Sequence, residues 1–169
     1  MNVAADVRIR PASDADLDAI NRIYNDEIRS GVATWDEEPW SAEKRREWFA
    51  EHDASCPVLV AECEGAVAGF AYLSLMSQKS GWRFTREDTI YLDQRWRGRG
   101  IGRVLLEALL EAARAIEMHL VVASITSDNE ASLRLHAAAG FEVMGTLREA
   151  GLKFGRRLDT TYMQLILGD

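Results

Sequence analysis

Little in this sequence invites a metal, a membrane or a disulfide. Cysteine occurs only twice, at Cys56 and Cys63. Neither stands at a close ligand spacing from another Cys or His, so no metal site is expected, and both are read as reduced thiols. Proline occurs three times, at Pro11, Pro39 and Pro57, each near an expected boundary between elements. No apolar run approaches the length of a membrane span. Met1–Arg10 has no apolar core flanked by basic residues, so a secretory leader is not expected and the location is read as cytoplasmic. Repeats, low-complexity tracts and linkers are missing too. The 169 residues are therefore read as one domain, 1–169, large enough for a real core. A net charge of -7 argues against general affinity for nucleic acid.

What is present is a pattern of alternating element types. Val7–Arg10 reads as a short strand. Ser13 is placed to cap a helix over Asp14–Ser30, with Asp14 and Asp16 in the first turn, where the helix dipole favours carboxylates. Leu17, Ile20, Ile23, Tyr24 and Ile28 recur along it at helical spacing. Ser41 can cap a second helix running to about His52. Val58–Glu62 and Ala66–Leu75 read as strands joined by a tight turn at Glu64-Gly65. Thr89–Leu92 is a short β-rich segment, and Ile101–Ile116 a strong amphipathic helix. Leu120–Ile125, mostly β-branched and apolar, reads as a strand buried on both faces. Ala131–Ala139 is a helix stopped by Gly140. Phe141–Leu147 and Thr160–Leu167 are the last two strands. The order β-α-α-β-β-β-α-β-α-β-β mixes a meander with crossovers, which implies an α/β fold with a mixed sheet.

The densest signal is the stretch Asp93-Gln94-Arg95-Trp96-Arg97-Gly98-Arg99-Gly100-Ile101-Gly102, which leaves a strand and opens a helix. Glycines at 98, 100 and 102 leave the backbone bare, so its N–H groups can approach an anion. The helix N-terminus adds unpaired donors and partial positive charge. Arg97, Arg99 and Arg103 can supplement this cradle. A local cluster of arginines on an acidic chain suits a small polyanion better than a long one. The spacing is neither a P-loop, since no Lys follows, nor a Rossmann fingerprint, since the third glycine comes too early.

Arg95-x-x-Gly98-x-Gly100 resembles the Gln/Arg-x-x-Gly-x-Gly/Ala signature of the GNAT superfamily of N-acetyltransferases. Asn129-Glu130-Ala131, then His136, then Gly140-Phe141 resembles the helix and Gly-Phe that follow in the same superfamily. Within it the chain is most similar to the phosphinothricin and methionine sulfoximine N-acetyltransferases, through Ile23–Asp26, Ala33–Trp35, Thr85–Leu92 and Lys153–Asp159. The resemblance implies a GNAT fold with a mixed central sheet of about seven strands and about four flanking helices. It implies acetyl-CoA as donor, with no metal, and a small-molecule amine as acceptor. Ile90, Tyr91 and Leu92 would pair with the pantetheine arm. Gly98–Arg103, Ile101 included, would hold the pyrophosphate, and Asn129 would lie near the sulfur. Such enzymes are often dimers, which implies a homodimer here.

Acetyl transfer needs a neutral attacking nitrogen, a polarised carbonyl and a proton for the leaving thiolate. Glu87 is the candidate base, because it lies two residues before the strand expected to carry the thioester. His136 stands where many members of the superfamily carry a tyrosine that protonates the thiolate, and a histidine can shuttle a proton near neutral pH. Arg83 and Lys153 are candidates to grip an acceptor carboxylate, Arg83 bidentately. Tyr72 and Trp35 are candidates to line the pocket. His52 and His119 match no site motif and are read as structural. The chain departs from relatives in three places: Leu75-Met76-Ser77-Gln78-Lys79-Ser80 stands where they carry an aromatic and basic stretch, Asp88 where they often have His or Ser, and Arg86 where they have a neutral residue. All lie beside the expected acceptor site, so the departures should fall on the acceptor and leave the donor unchanged. A small amino acid or analogue is the leading acceptor. A protein N-terminus or a polyamine, and a non-catalytic acyl-CoA-sensing module, are the alternatives.

Overall fold

A computed structural model describes residues 7–168. The sequence reading of a leader bears on residues 1–6, which lie outside the described residues. Seven strands form one sheet in the order β1-β2-β3-β4-β5-β7-β6. They are β1 Val7–Pro11, β2 Val58–Cys63, β3 Ala66–Leu75, β4 Thr85–Leu92, β5 Leu120–Thr126, β6 Glu142–Lys153 and β7 Arg156–Ile166. The helices are α1 Leu17–Ser30, α2 Ala42–Ala50, α3 Ile101–Ala115 and α4 Glu130–Ala138. Every neighbouring pair of strands is antiparallel except β4 and β5.

Side chains alternate across the strands, so the sheet has a core on each face. On one face Val60, Phe70 and Tyr91 meet the apolar stripe of α1: Leu17, Ile20, Ile23, Tyr24 and Ile28. On the other, Leu59, Ala61, Ala71, Leu73, Val121 and Ala123 meet Ile101, Leu105, Leu106 and Leu109 of α3. The 3.6-residue period of α1 and α3 is what makes two such stripes available. Glu64 and Gly65 both take positive φ, 52° and 76°, and turn β2 into β3 where the tight turn was expected.

Three boundaries differ from the sequence reading. The expected helix at Asp14 begins with a 3-10 turn over Asp14–Asp16, where Asp16 accepts hydrogen bonds from the Ser13 backbone N–H and hydroxyl. β4 starts at Thr85, four residues before the expected Thr89, because β3 pairs with it from Arg86 to Leu92 and β5 pairs with Thr85, despite the charged run Arg86-Glu87-Asp88. β6 and β7 extend far beyond Leu147 and before Thr160 into a long hairpin, closed at Phe154-Gly155 with φ of 51° and 70°.

One irregularity of the sheet matters for function. β4 and β5 pair in parallel only from Thr85 with Leu120 to Asp88 with Ala123. Beyond that rung they separate. β4 continues to Leu92 with its other edge on β3, and β5 continues to Thr126 with its other edge on β7.

Candidate active site

The separation of β4 from β5 opens a slot in the middle of the sheet. Ile90, Tyr91 and Leu92 form one lip, an edge on which no strand pairs. The slot widens toward the start of α3 into a cavity of 480 Å³, bordered by Leu92, Gly98, Gly100, Gly102, Arg103 and, across from them, Asn129 and Leu135. Gly98 and Gly100 have φ of 75° and 80°, and a Cβ on either would meet nothing within 4 Å, so both the left-handed backbone and the open space suit a close-lying ligand. Gly100 is the N-cap of α3, so the first N–H groups of that helix face this cavity's mouth unpaired. A backbone edge followed by a helix N-terminus fits an extended molecule ending in phosphates.

The arginines around the turn divide by partner. Arg97 is held inward: its Nη2 donates to Glu27 Oε2 at 2.8 Å, and its Nε and Nη2 donate to the Leu92 carbonyl. Arg99 lies over the Trp96 ring, and Arg103 pairs with Glu107 at the surface. Ile101 sends its side chain into the core, so only its backbone faces the turn.

A second cavity of 280 Å³ adjoins the first where Ala33, Ile90, Tyr91, Asn129 and Ser132 border both. Its remaining walls include Thr34 and Trp35 after α1, Glu87–Thr89 of β4, Ala123–Thr126 of β5, His136 and Thr160. Glu87 is half-buried with no charged partner among the described residues. Burial, and then the neighbouring charge of Asp88, push its carboxyl above the ordinary value. Asn129 caps α4, accepting from the Ser132 backbone N–H.

His136 is almost wholly buried and hydrogen-bonded at both nitrogens. Nδ1 lies 2.8 Å from the Ser132 carbonyl, and Nε2 lies 2.9 Å from Asp88 Oδ2. Burial disfavours its charged form, but the hydrogen bond and charge of Asp88 and the Ser132 carbonyl outweigh that, so its pKa stands above the usual histidine value. Asp88 reads in the sequence only as a departure beside the acceptor site; its pairing with His136 was not foreseen, because 48 residues separate the two.

Other expected residues are placed elsewhere. Trp35 borders the second cavity, and its Nε1 donates to Thr126 Oγ1 at 2.9 Å. Tyr72 does not border it; the ring is packed among Trp48, His52 and Phe70. Arg83 is exposed outside the cavity, stacked on Phe84 and donating to the Ser80 carbonyl. Lys153 is fully buried. Its ammonium donates to the carbonyls of Gly31 at 2.8 Å and Thr34 at 2.7 Å, with the Glu27 carbonyl at 3.5 Å as the third acceptor, which fixes the loop after α1 and commits its donors away from a ligand's carboxylate. Of Arg86 and Asp88, both expected beside the acceptor, Arg86 points elsewhere, donating to the carbonyls of Ser55, Arg83 and Thr85, whereas Asp88 borders the second cavity with its Oδ2 turned to His136. No Lys or Arg borders the second cavity among the described residues. Glu27 and Thr126 were not anticipated; both are buried and hold the loop 31–35, Glu27 tying it to α1 through the Ala33 N–H and Thr126 tying it to β5 through the Val32 carbonyl and Trp35.

Residues 19–141 match the model of the acetyltransferase (GNAT) family. An L-methionine sulfoximine/L-methionine sulfone acetyltransferase of Pseudomonas paraeruginosa is 44% identical over 94% of this chain and 94% of its own. A crystal structure of a phosphinothricin acetyltransferase from Sinorhizobium meliloti in complex with acetyl-CoA is 39% identical, with a TM-score of 0.93 over 96% of this chain and 89% of that one. A structure named as a ribosomal-protein-alanine N-acetyltransferase from Brucella melitensis is 42% identical, with a TM-score of 0.92 over 94% and 99%.

Proposed function

The chain belongs to the acetyltransferase (GNAT) family, and from that premise we propose that it moves the acetyl group of acetyl-CoA to the amine of a small amino acid or analogue of the methionine sulfoximine, methionine sulfone or phosphinothricin type. The observation that carries the donor is the slot between β4 and β5 leading to the glycine turn. Ile90–Leu92 offer a strand edge to the pantetheine arm, and Gly98–Arg103 with the α3 N-terminus take the pyrophosphate. The acceptor class rests on the names of relatives alike over nearly the whole chain.

Glu87 is the base in this reading. A carboxyl with a raised pKa is a stronger base when ionised, and it faces the cavity that adjoins the slot. In this reading a backbone N–H of Tyr91 or Leu92 stabilises the oxyanion. His136 supplies the proton for the thiolate. The wall opposite is hydroxyl-rich, with Thr34, Ser124, Thr126 and Thr160. The long β6–β7 hairpin leaves Val143, Met144, Leu147, Leu152 and Phe154 exposed at the sheet's outer strand, and a homodimer covering this face accounts for them.

A second reading has one observation in its favour. The acceptor cavity has the unpaired carboxylate of Glu87 and no Lys or Arg among the described residues, which suits a peptide N-terminus or polyamine better than a free amino acid. Thiol release from acetyl-CoA separates the two. Methionine sulfone, methionine sulfoximine and phosphinothricin are set against the decarboxylated amine of methionine sulfone, spermidine and an alanine-initiated peptide. Turnover of the amino acids is expected, falling on the order of a hundredfold in Glu87→Gln with acetyl-CoA binding retained. The acid limb of kcat/KM should lie above the ordinary carboxylate range and disappear in that variant. Turnover confined to amines without a carboxylate would move the acceptor to the second reading. Identical wild-type and Glu87→Gln behaviour in both assays would leave only acyl-CoA sensing.

A further inference from the structure

Asp88 is an acidic side chain at a core position, 5% exposed in the middle of β4. Its ion-pair partner is His136. The other charged groups nearby are committed elsewhere. Arg86, two residues back on the strand, serves backbone carbonyls. Glu130 and Arg134 of α4 pair with each other at the surface. Burial holds the Tyr91 phenol neutral. Phe141 closes the far side of the imidazole edge-on, with ring centroids 5.0 Å apart. Glu87 is the next residue along the strand, so it projects to the opposite face.

The partners fix the number of protons on this pair. A carbonyl only accepts, so the contact with Ser132 places a proton on Nδ1. Nε2 then faces a carboxylate oxygen at 2.9 Å. Two bare lone pairs repel at that distance, so a second proton lies between them. Drawn as imidazolium with carboxylate or as imidazole with carboxylic acid, the pair is neutral as a unit and has one proton to give. Asp88 Oδ1 is buried with no hydrogen-bond partner, so no other donor neutralises the carboxylate.

We propose that Asp88 and His136 act as one buried dyad that stores a single proton beside the donor slot and delivers it to the departing thiolate of the coenzyme, with Asp88 as the residue that keeps His136 loaded. This rests on the acetyl-transfer reading above. The amine lone pair forms the C–N bond at the acetyl carbon. The C–S bond breaks with its electron pair to sulfur, and sulfur takes the dyad's proton, leaving the dyad with one negative charge. The surplus proton on nitrogen passes to Glu87 on the other face of β4, and solvent resets both groups. Adjacent residues on one strand thus serve opposite proton transfers without short-circuiting each other.

Asp88→Asn is nearly isosteric and still hydrogen-bonds the imidazole, but removes the carboxylate. Imidazole 15N NMR across the pH range reads the proton with no substrate present. His136 should stay doubly protonated to a higher pH in wild type and lose that advantage, by about 1–3 units, in the variant. Kinetically, kcat should fall on the order of a hundredfold, its alkaline limb should move to lower pH, and the Kd for acetyl-CoA should hold. Asp88→Ser serves if Asp88→Asn does not fold. A wild-type His136 that titrates no higher than in the variant overturns the dyad, as does a variant with wild-type kcat and pH profile. If wild type acetylates no amine, the acetyl-transfer reading fails separately. Slow hydrolysis of acetyl-CoA, which releases the same thiolate, then replaces transfer as the kinetic readout, with a slower variant supporting the dyad and an equal one overturning it.

Discussion

Asp16 shows how much one carboxylate can hold in place at the head of α1. It accepts from Arg10 through both terminal nitrogens, at 2.7 and 2.8 Å, and from the Ser13 backbone N–H at 2.8 Å. The Arg10 hydrogen bonds are the main reason its pKa is lowered from 3.8 to about 2, against the opposing effect of burial. A depressed carboxylate pKa contributes stability that is present above the unfolded value and is lost as pH falls through the folded one. Asp16→Asn should therefore cost about 2 kcal/mol at pH 7. In urea unfolding, the gap between variant and wild type should close between about pH 4 and pH 2. A gap that stays constant over that window would show that packing, not charge, is at stake. At this scale the sequence was legible where a residue acts with its neighbours in the chain. Ser13 as a cap and Gly140 as a stop are local events. Lys153 and Asp88 are the opposite case. Lys153 reads as a cation free to grip a carboxylate, yet carbonyls from 119 and 122 residues away take its donors in the core. Asp88 reads as a departure from relatives beside the acceptor site and becomes half of a core pair. Burial of a charge is decided by partners that no local pattern discloses.

Among the elements, β4 governs the site. Three charged residues in a row lower its strand propensity, which is why only Thr89–Leu92 was legible from the sequence. Pairing with β3 overrides that preference through side-chain burial on both faces. The lengthened hairpin of β6 and β7 was missed for a related reason: residues 148–153 and 156–159 are mostly polar, and an outer strand needs no apolar alternation to pair. The helices were easier, since α1 and α3 present complete apolar stripes. One close approach in β3 was not legible at all. Gly69 lies opposite Leu92, and a Cβ there would run into the Leu92 side chain and come within 2.7 Å of the Tyr91 carbonyl oxygen. Gly69→Ala should push β4 away from β3. We expect a loss of about 1–3 kcal/mol in urea unfolding, together with weaker acetyl-CoA binding, because Leu92 is a wall of the slot. Gly81→Ala, which meets nothing within 4 Å, is the control and should leave both measurements unchanged. Stability without loss of binding in Gly69→Ala would separate this strand from the donor.

For the molecule as a whole, the outer face of β6 is the feature a single copy leaves unexplained. Val143 and Leu147 are 62% and 53% exposed on a strand whose far edge is unpaired, an arrangement that otherwise invites aggregation. Sedimentation velocity should show a dimer for wild type and a monomer for the double variant Val143→Lys, Leu147→Lys. A monomeric wild type at micromolar concentration would remove the homodimer from the proposal. The parting of β4 and β5 has a consequence on a longer timescale. Whatever extended molecule lies in that slot is met by main-chain amides and carbonyls, which every amino acid carries alike. Side chains along the neighbouring cavity can then drift generation by generation while the means of reading one partner stays constant. An exchange of a side chain along Ile90–Leu92 keeps those main-chain groups, whereas an exchange at Trp35, Glu87 or Thr160 rewrites the wall of the neighbouring cavity.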